Sequence, residues 1–272
     1  MTLPRITVVT PSYNQAKYLP ETIESVLNQK YPNLEYIIID GGSTDGSVEI
    51  IRRYDRHLTY WVSEEDSGQS EAINKGLARA TGDLFNWINS DDILFPGALW
   101  RIAEAYTGNS GADLIVGYHA RSDAQGRITR ISVPPPKFSM SPGNWVICIC
   151  QQSVFVATEV LRRVGGVRED LHCIMDTELY YRLFAAGSQY VRVDALIGMI
   201  REHADAKGIA RRRDWNPERQ KMFEKYGIRR YRVKAACART KFCRLLDGSY
   251  LRSFALLRMW RGLRPWEVSR IT

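Results

Sequence analysis

Cysteine and histidine are scarce in this chain, and long apolar runs are missing. Its 272 residues include five cysteines and four histidines. Cys148, Cys150, Cys173, Cys237 and Cys243 are odd in number and scattered. That pattern argues against a disulfide framework and for reduced core thiols. Cys148 and Cys150 lie two apart in a run that reads as a strand, but no second pair at zinc-ligand spacing exists, which excludes a structural zinc site. No stretch approaches the roughly 18 uninterrupted apolar residues of a membrane span. Met1-Thr2-Leu3-Pro4-Arg5 lacks the character of a signal peptide, so the expected location is the cytoplasm. A Gly-x-Gly-x-x-Gly turn is also absent after the first β-branched run, where Pro11-Ser12-Tyr13-Asn14 stands instead. This excludes a dinucleotide-binding dehydrogenase.

Acidic residues are short at one end. Residues 229–272 contain 12 Lys and Arg against Asp247 and Glu267, a net +10, whereas residues 1–228 sum to −2. A near-neutral body with a basic tail predicts attachment to something anionic. From Arg229 onward the basic residues alternate with Tyr231, Phe242, Leu245, Leu246, Leu251, Phe254, Trp260 and Trp266. That mixture suits a helical segment on an anionic membrane surface, although Arg252 lies off the helical face shared by Arg258 and Arg261. A helical cap on the body is the second reading, and nucleic acid is the least favoured.

Against this background the first half alternates regularly. Ile6–Thr10, Leu34–Ile39, Leu58–Val62 and Asp83–Ile88 read as strands. Helical spacing marks Tyr18–Gln29, the stretch after Ser47, and Ser70–Ala80. Alternation of this kind predicts an α/β fold with a mostly parallel sheet flanked by helices, and ligands bind outside the carboxyl ends of such strands. Three polar features fall there: the Pro11–Asn14 loop, Asp40 with Gly41-Gly42, and the pair Asp91-Asp92. Adjacent carboxylates repel, and a hard divalent cation relieves that repulsion while bridging phosphate oxygens. The alternative is that the pair caps the helix beginning near Pro96.

The second half reads as a hairpin over Ala112–Tyr118 and Gly126–Val133. An extended break follows at Pro134-Pro135-Pro136, then a strand over Asn144–Cys150 leading to Gln151-Gln152. Asp176 opens a helix anchored by Leu179 and Leu183.

The motifs Val8-Val9-Thr10-Pro11-Ser12-Tyr13-Asn14, Ile39-Asp40-Gly41-Gly42-Ser43-Thr44-Asp45-Gly46-Ser47, Asn74-Lys75-Gly76, Ala80-Thr81-Gly82-Asp83 and Asn89-Ser90-Asp91-Asp92 occur in this order and spacing. Together they resemble the inverting family 2 glycosyltransferases of GT-A fold, strongly over residues 4–105 and more weakly over 145–205. The resemblance implies a nucleotide-sugar-binding half (1–105), an acceptor-binding half (106–228) and a basic helical extension (229–272). It implies a nucleotide-sugar donor, UDP-linked by preference. Pro11 and Tyr13 would line the base pocket, Asp40 would accept from the base, and Asp66, Gln69, Asn74 and Asp91 would complete the nucleotide site. Asp92, with His203 beside it, would hold Mn²⁺ or Mg²⁺. Gln152 would touch the sugar, and Asp176 would deprotonate the acceptor.

Each of those roles has a plainer counterpart. Asp40 can organise its own glycine turn, Tyr13 can simply pack, and Asp176 can cap its helix. The chain departs from the commoner family pattern at three places. Ile73 precedes Asn74 where many members have Arg, which leaves phosphate neutralisation to the metal, Lys75 or a residue from elsewhere. Asn89 stands where many have Asp, and Met175 precedes Asp176 where Glu is usual. The expected acceptor is a hydroxyl of a glycan or lipid-linked glycan in bacterial cell-surface polysaccharide synthesis. The expected setting is the inner face of the membrane, with a homodimer compatible.

Overall fold

The computed structural model describes residues 2–109, 112–135, 149–207, 214–229, 238, 241–242 and 244–268. Its first half follows the alternation. β1 (Ile6–Ser12) is buried along its whole length, and β2 (Leu34–Asp40) is buried from Glu35 onward. Strands covered on both faces are what an interior parallel position demands, and β-branched runs meet that demand. Ile37, Ile38 and Ile39 are at most 1% exposed, and each contributes about 1.5–3 kcal/mol relative to an exposed isoleucine. β3 (Tyr60–Ser63) pairs parallel to β2, and β4 (Leu84–Trp87) pairs parallel to β1.

Helices cover this sheet. α1 (Leu19–Leu27) buries Leu19, Ile23 and Val26 along one stripe, the i, i+4, i+7 pattern of a packed helix. α2 (Ser47–Arg53) follows β2, and α3 (Gln69–Arg79) follows β3. α3 approaches β1 so closely that a Cβ on Gly76 would stand 2.6 Å from Val9 Cγ1. Only glycine permits that separation. The chain thus moves outward from β1 to β2 and β3, then returns to place β4 on the other side of β1. Such a reversal opens a crevice between the carboxyl ends of β1 and β4.

The second half adds β5 (Ile93–Leu94), α4 (Ala98–Gly108), β6 (Leu114–Ser122), β7 (Ile128–Ser132), β8 (Val154–Ala157), α5 (Thr158–Arg163), α6 (Met175–Ala185), β9 (Tyr190–Arg201), α7 (Trp215–Lys225) and α8 (Ser249–Trp260). The sheet runs β3-β2-β1-β4-β8-β6-β9-β5, with β7 on β6. β6 and β7 form the expected antiparallel hairpin, its turn held by the Asp123 carboxylate accepting from the Gln125 and Arg127 amides.

Two differences from the pattern read in the sequence stand out. The strand expected over Asn144–Cys150 lies outside the described residues up to 148, and Ile149 and Cys150 belong to no strand. The paired strand is β8, which starts after the 3₁₀ turn Gln151–Ser153. The second difference is β9. Arg192, Asp194 and Gly198 interrupt its apolar pattern, so no strand is legible there. Arg192 Nε donates to Asp194 at 2.8 Å, and Gly198 lies where a side chain would strike the Gln152 backbone.

The basic extension is joined to the body. Leu256, Leu257, Trp260 and Leu263 pack against a small core containing Ile93, Phe95 and Ile131. Gly262 and Leu263 exchange backbone hydrogen bonds with Ile128 at 2.8 and 2.9 Å. Trp260 therefore faces inward rather than toward an interface. Among the described residues no helix is long and apolar enough to cross a membrane.

At the opposite end of the sheet from the crevice, one buried carboxylate ties three elements together. Glu35 is 3% exposed. It accepts from Thr7 Oγ1 at 2.5 Å, from the Thr81 amide and hydroxyl at 2.7 Å each, and from Arg5 at 3.2 Å. Burial alone would raise its pKa, but these donors outweigh burial and hold it below the ordinary value near 4.5. A depressed folded-state value gives stability that is complete above the unfolded value and lost as pH falls through the folded one. Glu35→Ala is expected to cost about 3 kcal/mol, because buried donors are left unmet. Urea unfolding at pH 7 measures that loss, and the gap between variant and wild type should narrow below about pH 4. A constant gap over that range would show that the ionised form is not what stabilises.

Candidate active site

The acid pair leaves β4 at the crevice, and β9 decides which way each carboxylate points. Antiparallel pairing sets Ile93 against Met199 and Leu94 against Gly198. Extending that register sets Ile200 against Asp92 and Arg201 against Asp91, with His203 two residues further on. The Arg201 amide donates to Asp92 Oδ1 at 3.0 Å. Asp92 Oδ2 accepts from Asn89 Nδ2 at 2.9 Å and from Gln152 Nε2 at 2.5 Å. With a residue exposure of 2%, Asp92 is enclosed, and both its oxygens are engaged. Burial and the neighbouring Asp91 charge push its carboxyl well above the usual carboxylate range, against the opposing pull of its three donors.

Asp91 is in a different position. Its side chain is 16% exposed, and its Oδ2 accepts from His203 Nε2 at 3.0 Å. His203 stacks at 4.4 Å on the Tyr18 ring, and its buried Nδ1 has no hydrogen-bond partner. Burial separates the two: Asp92, expected as the direct ligand, has both oxygens engaged within the protein, and Asp91, expected on the ribose side, is the more exposed. Asp91, paired to His203, faces the crevice, and Asp92 is the buried anchor behind it.

Several other expected site residues hold hydrogen bonds within the protein. Asp40 is fully buried and accepts from the Ser43 amide at 2.9 Å, the Ser43 hydroxyl at 2.6 Å and the Ser63 hydroxyl at 2.8 Å. These bonds hold the turn after β2. Asn74 donates to the Val167 carbonyl and to Glu169 at 2.8 Å each and accepts from the Val167 amide at 2.9 Å, so it staples α3 to the loop before α6. Lys75 is clamped by Glu64 at 2.8 Å and Glu71 at 2.9 Å. Gln152 is 5% exposed and directs its amide at Asp92. Pro11 is buried in β1, whereas Tyr13 is 62% exposed above the same strand end.

Asp66 lies beside the turn after β2. Gly41 has no side chain, and the Asp66 carboxylate occupies that space, its oxygens 2.8 and 2.9 Å from where a Cβ would be. Asp66 Oδ1 accepts from the Gly68 amide at 2.9 Å. Burial raises its pKa, partly offset by that amide. At the start of α3, Gln69 Nε2 donates to Asn89 Oδ1 at 2.5 Å, and Gln69 Oε1 accepts from Lys207 Nζ at 3.0 Å. An unbroken run of hydrogen bonds therefore joins Lys207, Gln69, Asn89, Asp92 and Gln152, and ends at the Cys150 thiol, which donates to Gln152 Oε1 at 3.0 Å. Burial and the nearby Asp176 push that thiol up to about 12, so it remains protonated.

Asp176 stands in the first turn of α6, partly exposed. It does not cap this helix from outside. The amides of His172, Cys173 and Ile174 are instead met by Glu218 of α7, at 3.0, 2.8 and 3.2 Å. Ser70 ties the start of α3 to this turn, donating toward Leu171 O and Met175 Sδ at 3.0 Å each. Burial raises the Asp176 pKa, opposed by the Thr177 amide and the positive charge of Lys207. A partly enclosed carboxylate with a raised pKa is suited to general-base work. Glu178 is structural, fully buried and paired with Arg182 at 2.9 Å. Sequence reasoning missed Glu218 and Lys207; each acts through contacts to residues far away in the chain.

The donor set at Asp91 and His203 fits a divalent cation. A carboxylate and an imidazole suit Mn²⁺ well and Mg²⁺ less well. Among the described residues no three His, Cys, Asp or Glu side chains cluster to hold an ion. Sites that bind a metal together with substrate phosphates need only one or two protein carboxylates.

The family model for glycosyl transferase family 2 matches residues 7–159, more than half of the chain. An uncharacterised glycosyltransferase of Mycobacterium tuberculosis H37Rv is 31% identical over 184 residues, covering 66% of this chain and 68% of that protein. TuaG of Bacillus subtilis, a putative teichuronic acid biosynthesis glycosyltransferase, is 43% identical over 120 residues, 42% of this chain and 47% of its own length. Among solved structures, Staphylococcus aureus TarS 1–349 bound to UDP superposes with a TM-score of 0.57 at 20% identity, covering 74% of this chain and 61% of that one. The mannosyltransferase PcManGT of Pyrobaculum calidifontis, bound to GDP-Man and Mn²⁺, gives 0.57 at 21%, covering 78% and 61%. At such identities the structural likeness establishes the GT-A fold alone. The sequence matches carry the rest: this chain belongs to glycosyl transferase family 2 and is a glycosyltransferase.

Proposed function

We propose that the chain transfers a sugar with inversion from a nucleotide-sugar donor, UDP-linked by preference, to a hydroxyl of a glycan or lipid-linked acceptor in cell-surface polysaccharide synthesis. The observation that carries the reading is the meeting, at one end of the sheet, of the Asp91–His203 pair with a separately positioned carboxylate, Asp176. The nucleotide lies across the ends of β1 and β2. Tyr13 offers an exposed aromatic face to the base, and Asp66, beside Gly41, offers a carboxylate to a base N–H. The amino end of α3 faces the phosphates. Asp91 and His203 would hold Mn²⁺ or Mg²⁺, which would supply positive charge against the diphosphate. Asp92, Asn89 and Gln152 fix the orientation of that pair. Asp176 takes the proton of the acceptor hydroxyl, whose oxygen bonds to the anomeric carbon as the bond to the diphosphate breaks.

UDP and UDP-GlcNAc bound to TarS support the donor class, Mn²⁺ in PcManGT supports the cation, and the name of TuaG supports the polysaccharide role. The test is thermal stabilisation by a panel of UDP- and GDP-sugars with and without Mn²⁺. Uridine donors with metal should stabilise most, and Asp66→Ala should weaken that binding about tenfold. A response indifferent to metal and to the base would overturn the reading.

The same proposal places the chain against a membrane. The inner face of α8 packs on the body and accounts for the cap reading, but its outer face does not pack. Leu251, Phe254 and Met259 are 63–70% exposed, continuous with Leu245 and Leu246. Lys241, Arg258 and Arg261 are exposed in the same stretch of chain. An apolar face ringed by cations fits an anionic lipid interface. Wild type should sediment with phosphatidylglycerol vesicles at low salt, whereas Leu251→Glu/Phe254→Glu should stay in the supernatant. Equal sedimentation of the two would remove α8 as the contact.

A further inference from the structure

Just past the carboxyl end of β1, one residue holds a backbone conformation that most side chains avoid. Asn14 has a φ of +49°, and among the described residues only Lys30, in the turn after α1, also combines a side chain with a left-handed backbone. Asparagine tolerates that region better than most residues because its short carboxamide bonds locally. Such a conformation persists only where its surroundings hold it.

Here the surroundings are the chain between β2 and α2. The Asn14 amide donates to Ser43 Oγ at 2.8 Å, and Asn14 Oδ1 accepts from the Thr44 amide at 2.9 Å. The next two residues continue the pattern. The Gln15 amide donates to Ser47 Oγ at 3.2 Å, and the Ala16 amide donates to Asp45 Oδ2 at 2.8 Å. Four hydrogen bonds thus stitch the chain leaving β1 to the chain leaving β2. The far side of the stitch is itself anchored, since the Ser43 amide and hydroxyl both donate to buried Asp40.

Tyr13 sits between the two fixed points. Ser12 before it pairs with Asp40 in the sheet, and Asn14 after it is pinned to Ser43 and Thr44. Its own side chain takes no part in the stitch and is exposed. An aromatic platform serves a ligand best when its direction is set beforehand, because little ordering is then left for the binding step.

Resting on the reading of the donor pocket above, we propose that Asn14 is the positioning residue that aims the Tyr13 ring at the nucleotide base. It acts through Tyr13 and makes no contact of its own with the base. Its left-handed turn redirects the chain directly after Tyr13, and its carboxamide fastens that turn to the Thr44 amide. Buried Asp40 then serves base recognition at a distance, through Ser43, Asn14 and Tyr13.

The experiment is calorimetric titration of the full chain with UDP and Mn²⁺, for wild type, Tyr13→Ala, Asn14→Ala and the double variant. Tyr13→Ala should lose about tenfold in affinity, the scale of one aromatic ring stacked on a base. Asn14→Ala is strained at that φ and lacks the carboxamide; it should lose about five- to tenfold, with nothing further lost when Tyr13 is already alanine. Asn14→Asp keeps the tolerance of a left-handed backbone and an oxygen for the Thr44 amide, so it should stay within about threefold of wild type. Where Asn14→Ala does not fold, Asn14→Gly takes its place in the cycle, since glycine adopts the same φ without strain. Losses that add in the double variant would mean a structural role independent of Tyr13, and an alanine or glycine variant that binds as tightly as wild type would remove Asn14 from the pocket; either overturns the proposal. Wild-type affinity in Tyr13→Ala would show that Tyr13 is no platform, and the proposal falls with it. If wild type binds no UDP, the donor reading falls first. That outcome differs from a wild type that binds UDP and variants whose losses add.

Discussion

Asp176→Asn should lower the turnover of sugar transfer by about a thousandfold while leaving donor affinity unchanged, since removing a positioned general base typically costs 10²–10⁴. Asparagine keeps the shape and loses the ability to take a proton. The proposed donor pocket is built from β1, β2, α3 and the acid pair, so its nucleotide affinity has no reason to move. The fold should hold as well, because the amides ahead of α6 are met by Glu218 and not by Asp176. Burial, opposed by Thr177 and Lys207, raises the carboxyl above the ordinary aspartate value of 3.8. A base works only when deprotonated, so turnover in wild type should fall as pH drops through that raised value. The acid limb should therefore lie above the range of an exposed aspartate, and it should vanish from the residual rate of Asp176→Asn. Steady-state transfer from a UDP-sugar between pH 4 and 8 measures both. A variant retaining a tenth or more of wild-type turnover, with the limb in place, would put the base elsewhere.

The parts of this site legible in the sequence are those set by neighbours along the chain. Four strands announce themselves through short apolar runs, β-branched in β1 and β2, and their carboxyl ends locate the crevice before any coordinates are known. Asp176 is legible in the same way, one turn ahead of Leu179 and Leu183. What stays hidden depends on pairing between distant segments. Asp40 and Asp66 are both acids near glycine turns. Which one closes on itself is decided by Ser43 and Ser63 reaching Asp40, and by the missing side chain of Gly41 admitting Asp66. Glu218 meets the amides before α6 from 44 to 46 residues away, and nothing in its local pattern separates it from a solvated helix residue. β9 is hidden for a related reason: Gly198 and Arg192 break its alternation but are required by the Gln152 backbone and by Asp194.

The acid pair shows the same limit most sharply, and it yields the second large effect. Asp91→Asn should remove the metal dependence of donor binding and lower turnover by about 10²–10³, the equivalent of the several kcal/mol a bound cation supplies to transition-state charge. Its stability should change little, because the Asp91 side chain is partly exposed and its contact is to one imidazole. Asp92→Asn should do the reverse. An amide there sets an NH₂ against Asn89, Gln152 or the Arg201 amide, all of them donors, and leaves at least one buried hydrogen-bonding group unmet. The expected cost is about 2 kcal/mol of unfolding free energy. Donor affinity should still respond to Mn²⁺, weakened about 10–100-fold because the groups orienting Asp91 are disturbed. Urea midpoints together with Mn²⁺-dependent UDP titrations separate the two variants without an activity assay. The opposite result, with metal response lost in Asp92→Asn and kept in Asp91→Asn, would restore Asp92 as the ligand. It would also mean that binding a donor breaks the three hydrogen bonds that now enclose Asp92, a rearrangement the Gln152 and Arg201 contacts oppose.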